Sequence, residues 1–231
     1  MGEASKTRTL WGPREWGWLN GQGIDIGCGT DPITPMCDRF DHHDGDANRI
    51  SEFVTKKYDF VFSSHTLEHM DDPYEALREW FRLLKPGGVM VIVVPDEDRY
   101  EQGCCPSVFN SDHKWTFTIA KKKSWSPRST SLLGLVKSLG ADLVSVELQS
   151  VQIPDDVAAT VRRRITPVSG AHLKRRLGRI TEKLARRAPG LENAMISAAA
   201  KLGALIDYTN LRSQRLAQIQ LVIRAAPPVE N

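Results

Sequence analysis

The chain has 231 residues, 41% of them apolar and 26% charged, which is enough for one well-packed core plus an appendage and is ordinary for a globular protein. No apolar run approaches the roughly 18 residues a membrane-crossing helix needs. Met1 to Thr9 is too polar for a secretory signal, so a cytoplasmic protein is expected. The net charge of +3 is unevenly spread: residues 162–187 hold ten Lys or Arg against one acid, Glu182, which leaves the remainder acidic. The four cysteines, Cys28, Cys37, Cys104 and Cys105, have no zinc-type spacing and read as free thiols.

In chain order, a Trp-rich leader (Trp11, Trp16, Trp18) precedes Gly23-Ile24-Asp25-Ile26, a short apolar run that ends in glycines and predicts a buried strand entering a tight turn. Cys37 to His43 and Tyr58 to Ser64 predict two further strands. The β-branched run Val89 to Val94 predicts a central parallel strand. Between the last two, Asp72 is placed as N-cap and Pro73 as first helical residue. Ala76, Leu77, Trp80, Phe81 and Leu84 form the apolar stripe of that helix, and Lys85-Pro86-Gly87-Gly88 turns the chain back into the sheet. A helix is predicted over Ser129 to Leu139, a strand over Asp142 to Leu148, and a last strand over Ala217 to Ala225. From about 151 to 216, Leu173, Leu177, Ile180 and Leu184 recur at helical spacing and predict a helical insertion. The expected division is a cap segment at 1–20, a catalytic core at 21–150, the basic insertion at 151–216, and the last strand and tail at 217–231.

The glycines after the first strand permit close backbone approach to a ligand and expose amides to its polar atoms. Pro32 stands where a dinucleotide-binding loop wants its third glycine, which argues against NAD or FAD. Asp25 places a carboxylate beside the loop, Asp41 is placed to accept hydrogen bonds from a ribose diol, and Asp46 to accept one from an adenine amine. Three carboxylates around a glycine turn suit a cationic nucleoside; the plain alternative is that each caps a turn.

The ordered set Gly23-Ile-Asp-Ile-Gly-Cys-Gly-Thr, Gly45-Asp-Ala, Tyr58-Asp-Phe-Val-Phe-Ser-Ser-His-Thr-Leu-Glu-His69 and Leu84-Lys-Pro-Gly-Gly88 closely resembles class I methyltransferases of the type-11-like kind, which use S-adenosylmethionine. The resemblance covers about residues 21–150. It implies an α/β fold, Rossmann-like and doubly wound, with a mostly parallel seven-stranded sheet. It further implies that Asp25, Gly27, Cys28 and Gly29 surround the methionine part, Asp41 the ribose, Asp46 and Ala47 the adenine, and that Ser63 lies near the sulfonium. Two positions depart from the pattern. Asp31 stands where many members have another glycine, and the span from Asp41 to Gly45 is too short for the usual helix and strand.

Methyl transfer depends chiefly on alignment and exclusion of water, with a base where the acceptor carries a proton. His113, on the loop after the Val89–Val94 strand, ranks first as that base and His65 second; His69 reads equally as a structural residue. The run Asp41-His42-His43-Asp44-Gly45-Asp46 has metal-binding residue types, but neighbours on a strand point to opposite faces, so no metal is expected. Asp96, Glu97 and Asp98 are read either as orienting a hydroxylated acceptor or as a solvated loop. Arg162 to Arg164, Lys174 to Arg176, Arg179, Lys183, Arg186 and Arg187 flank an apolar stripe, as in a helix lying on an anionic membrane surface. RNA binding competes, weakened by the lack of interleaved aromatics, and a solvated basic face is the plain alternative. The expected reaction is O-methylation of a sugar or lipid-linked glycan, at the cytoplasmic face of the membrane if the helix docks there. A small-metabolite acceptor and an inactive nucleoside-binding scaffold are the alternatives.

Overall fold

The computed structural model describes residues 2–153, 168–211 and 215–227. Eight strands are present among them: β1 (Gly23–Ile26), β2 (Asp38–Phe40), β3 (Tyr58–Ser64), β4 (Leu84–Pro95), β5 (Thr116–Thr118), β6 (Ser129–Ser131), β7 (Asp142–Val151) and β8 (Leu216–Arg224). The helices are α1 (Glu3–Arg8), α2 (Pro13–Trp16), α3 (Pro73–Phe81), α4 (Leu132–Leu139), α5 (Val168–Ala185) and α6 (Glu192–Lys201).

The main sheet runs β2-β1-β3-β4-β8-β7. The first four strands are mutually parallel, and β8 is antiparallel to both β4 and β7. This is the mostly parallel α/β arrangement expected, with one correction: among the described residues the sheet has six strands, not seven. Between β2 and β3 the chain forms only a short 3-10 stretch, Ala47–Glu52, capped by Asp46, because the interval is too short for a crossover helix plus another strand. β5 and β6 pair separately as a two-stranded sheet. The helix predicted from Ser129 also starts later, since Ser129–Ser131 pairs with β5 and Ser131 then caps α4 by accepting the Gly134 N–H.

Strand alternation divides the core into two layers. Met90, Ile92 and Val94 of β4 pack with Trp80 and Leu77 of α3 and Leu132 and Leu135 of α4. Val89, Val91 and Val93 face the other way, onto Trp11, Trp18, Ile33, Phe60 and Phe62. The Trp-rich leader is therefore a lid over one sheet face. Trp11 meets Trp16, Trp18 and Phe62 edge to face at ring separations of 5.3, 6.4 and 5.7 Å, and its indole N–H donates to Gln220 at 2.8 Å. On α3, the Asp72 carboxylate accepts the Tyr74 N–H at 2.8 Å, as the Asp-Pro signal predicts. Between β7 and β8, α6 and the segment from Ala204 to Leu211 build a smaller cluster with Ile153, Ala185 and Ala217. The predicted basic positions Arg162 to Arg164 lie outside the described residues.

Candidate functional site

The site begins where β1 ends. Gly27 has φ +77°, and a Cβ there would lie 2.0 Å from Thr66 Oγ1, so both backbone conformation and space require glycine. Gly29 also has positive φ, +53°. The turn is braced by side chains: Asp25, 1% exposed, accepts the Ile33 N–H at 2.6 Å, and Asp41 accepts the Gly29 N–H at 2.6 Å. The Arg39 guanidinium donates to the Gly29 carbonyl, a role its position in the sequence did not announce. Burial pushes the Asp25 carboxyl up to about 7, the Ile33 bond offsetting only part of the effect. At Asp41 burial acts in the same direction, but hydrogen bonds from His42 and Gly29 prevail and hold it below the ordinary carboxylate range.

Asp25, Gly27, Cys28 and Gly29 line a cavity of about 290 Å³, closed on other sides by Ser64, His65 and the residues Gly2-Glu3-Ala4. The last three belong to α1 and its N-cap, which Asp31 fastens in place: its carboxylate accepts the Ser5 N–H at 2.8 Å, the Ser5 hydroxyl at 2.7 Å and the Arg8 guanidinium at 2.6 Å. The position that departs from the glycine pattern is thus the anchor of a helix over the cavity.

Four expected contacts, Asp41, Ser63, Asp46 and Ala47, are not on the cavity wall. Ser63 is turned inward by strand alternation, and its hydroxyl donates to the Ile26 carbonyl at 2.8 Å; its neighbour Ser64 lines the cavity instead, with a buried hydroxyl that has no protein partner. Asp46 accepts the Asn48 N–H at 2.9 Å as a cap, and the carbonyl of Ala47 accepts the Trp80 indole N–H at 2.8 Å. The shortened β2–β3 connection sets the Ala47 backbone against Trp80 of α3 and leaves Asp46 capping the 3-10 stretch. All four cysteines are free thiols. The run 41–46 does not converge: His42 lies against its own neighbour Asp41, Asp44 accepts the Asp41 N–H, and both histidines are exposed.

From His65 on the cavity wall a chain of imidazoles and carboxylates runs into the interior. His65 holds φ +56°, a conformation seldom adopted by non-glycine residues, with its N–H on the Val93 carbonyl at 2.8 Å. Its Nδ1 is 3.5 Å from Glu68 Oε1, and its Nε2 is 3.1 Å from Gln218 Oε1. Glu68 is fully buried and stands between His65 and His113, whose Nε2 is 3.8 Å away. On its far side, His113 Nδ1 meets Glu101 Oε1 at 2.7 Å. Burial by itself lowers both imidazoles. Hydrogen bonding and charge from Glu68, together with Glu3 and Gln218, reverse this for His65 and raise it to about 9. Glu101 and Glu68 do the same for His113, which is raised above the ordinary imidazole value. His69 has a structural place: its Nδ1 contacts the Asp112 carbonyl at 3.0 Å, while the Glu68 carbonyl accepts the Lys114 and Trp115 N–H groups. The Glu68-His69 turn therefore clamps the loop that carries His113. Glu68 and Glu101 were absent from the sequence expectations because the contacts that give them meaning join β3, β4 and the following loop.

The acidic segment after β4 fits neither of its sequence readings. Glu97 is fully buried and satisfied by Lys121 at 2.6 Å, Ser124, Ser129 and Thr116, and Asp98 binds Lys121 and the Trp125 indole. These acids fasten the 116–131 segment rather than facing solvent or an acceptor.

A family model described as "Methyltransferase domain" matches residues 9–146. No curated protein matches the sequence. Among solved structures, the chain is similar to a SAM-dependent methyltransferase from Archaeoglobus fulgidus, at 15% identity over 96% of this chain and 93% of that one, with a TM-score of 0.47. It is also similar to coclaurine N-methyltransferase bound to N-methylheliamine and S-adenosylhomocysteine, at 11% identity over 96% and 72% of the two chains and a TM-score of 0.47.

Proposed function

We propose, from the premise that the chain belongs to the methyltransferase-domain family, that it methylates a hydroxyl of a sugar or lipid-linked glycan, with S-adenosylmethionine as the methyl donor. The cavity fits that donor chemically: its glycine turn allows close approach, Asp25 offers a carboxylate to the ammonium, and the Ser64 hydroxyl is buried without a partner. Asp41, at the edge of the turn, is the acceptor for the ribose diol. The donor supplies an electrophilic methyl on a sulfonium; the chain supplies alignment, desolvation and a proton acceptor.

The observation that carries a hydroxyl acceptor is the His113–Glu101 pair. A hydroxyl must lose its proton as the O–C bond forms, and an imidazole fixed at Nδ1 by a carboxylate presents Nε2 for that proton. His113 Nδ1 has this arrangement with Glu101 and its Nε2 is the less closely held nitrogen, 3.8 Å from Glu68 Oε1, whereas His65 Nε2 is 3.1 Å from Gln218 Oε1 and its Nδ1 3.5 Å from Glu68 Oε1. His65 is then a positioning residue, holding Glu68 between the donor cavity and the base. The reading is tested by calorimetry with S-adenosylmethionine and S-adenosylhomocysteine, followed by labelled-methyl transfer to panels of glycans and small metabolites. Binding with transfer to glycan hydroxyls is expected; transfer to metabolites alone would reassign the acceptor, and binding with no transfer would favour a scaffold.

Two further results are expected at the donor cavity. Removing the anchor of α1 by Asp31→Ala should weaken S-adenosylhomocysteine binding about tenfold, as expected for loss of charge-assisted hydrogen bonds worth ~1.5–3 kcal/mol that act on the ligand only through α1. Unchanged affinity would show that α1 does not contribute to the donor site. The second concerns pH. Asp25 has a folded value of about 7, above its unfolded one, so its neutral form favours the fold at low pH and that contribution is lost as pH rises toward 7. A bound ammonium favours the carboxylate, so binding below about pH 7 releases a proton. Affinity for S-adenosylhomocysteine should strengthen by up to about tenfold per pH unit toward neutrality and then level off. Asp25→Asn should abolish that slope; a slope retained in this variant would place the titrating group elsewhere.

A further inference from the structure

The helix α5 packs with the wrong face for a helix in water. A surface helix ordinarily buries its apolar stripe and exposes its charges. Here the side toward the protein consists of Ala171, Gly178, Thr181, Ala185 and an ion pair in which Arg175 meets Glu182 at 2.5 Å. Gly178 is pressed so closely on the chain that a Cβ would lie 1.8 Å from the Leu205 carbonyl oxygen, which fixes the rotation of the helix about its axis. The periodic apolar residues consequently point away from the protein: Leu173 is 74% exposed, Ile180 51%, Leu184 48% and Leu177 41%. Leu202, at the end of α6, is 80% exposed and joins Leu173, Leu177 and Ile180 along an open groove of about 520 Å³.

The border of this apolar strip is uniformly basic. Lys174 lies on one side, with Arg176, Arg179 and Lys183 on the other, and Glu182, the acid of the helix, is turned inward and paired. Two copies meeting through this face would bring like charges together, and a protein partner would need an acidic rim around an apolar ridge. An anionic bilayer supplies both complements at once: headgroups for the basic border and acyl chains for the leucines. None of the described helices is long and apolar enough to cross a membrane, so the contact is peripheral.

We infer that α5, with Leu202, is a docking surface for an anionic membrane, on which the strip Leu173, Leu177, Ile180 and Leu184 enters the headgroup region. The inference does not depend on the acceptor reading. Sedimentation of the full chain with phosphatidylcholine vesicles containing phosphatidylglycerol tests it. Binding is expected to anionic vesicles, at least tenfold weaker to vesicles of phosphatidylcholine alone, and reduced by raised salt. The double variant Leu177→Glu, Ile180→Glu should lose binding at least tenfold while keeping the wild-type thermal midpoint, since both side chains are already in solvent. Should that variant prove unstable, Arg176→Glu with Arg179→Glu gives the same test from the charged border. No sedimentation with anionic vesicles, or sedimentation that both variants leave unchanged, overturns the inference. So does a concentration-dependent dimer that Leu177→Glu, Ile180→Glu abolishes in a chain that does not bind vesicles, which would make this face a contact between copies.

Discussion

Gly27→Ala is expected to weaken S-adenosylhomocysteine binding by about a hundredfold or more while leaving most of the fold intact. Two costs combine at this position. The backbone is at φ +77°, where an L side chain costs about 1–2 kcal/mol, and the new methyl would stand 2.0 Å from Thr66 Oγ1. Thr66 cannot easily give way, because its hydroxyl already donates to the Ile26 carbonyl at 3.2 Å at the end of β1. Relief comes from moving the turn, and this disturbs what Asp25 and Asp41 hold in place. A loss of ~3 kcal/mol corresponds to roughly a hundredfold in affinity. Calorimetry checks the loss, and the far-ultraviolet dichroism spectrum checks that the sheet persists. Affinity within threefold of wild type would mean that the donor does not lie against this turn.

His113→Gln is expected to lower turnover by about 10²–10⁴, the usual contribution of a positioned general base, with S-adenosylhomocysteine affinity changed less than threefold. Glutamine keeps a hydrogen-bonding partner for Glu101, whose burial would make an alanine variant unstable for reasons unrelated to catalysis. Glu101→Gln should have a smaller effect, because the imidazole remains but loses the carboxylate that orients it. The pH profile has a defined sign. Glu101 and Glu68 raise His113 above the ordinary imidazole value, so its proton-accepting form is reached at higher pH than for a free imidazole. In the wild type, kcat/KM should rise with pH through an inflection above that ordinary value, and His113→Gln should flatten the rise. Turnover unaffected by His113→Gln would remove His113 as base.

Local signals were legible where a short stretch of chain carries its own physical instruction. Asp72-Pro73 specifies a helix start whatever surrounds it, and the β-branched run at Val89–Val94 fits a strand buried on both faces. Glycines 27 and 29 mark a turn that other residues cannot make. The miscounted sheet shows the limit of pattern. A seven-stranded sheet follows from the resemblance, but the interval from Asp41 to Tyr58 holds only a 3-10 turn, with Asp46 as its cap. Ser63 and Ser64 part for a smaller reason: adjacent strand residues point to opposite faces, so Ser64 lines the cavity while the Ser63 hydroxyl bonds the Ile26 carbonyl.

The sequence by itself determined the parallel α/β core, the glycine turn with Asp25 and Asp41 beside it, and the existence of a basic helix with an apolar stripe. These depend on spacing and local conformational preference, which are properties of neighbouring residues. Only the tertiary structure decided that Asp31 fastens α1 over the cavity, that Glu68 and Glu101 bracket His113, and that the helix turns its leucines outward. Each of these joins segments distant along the chain: Ser5 with Asp31, Glu101 with His113, Gly178 with Leu205. The last is the clearest case, because periodicity shows that a helix has an apolar face, whereas which way that face points is set by the one side close enough to pack.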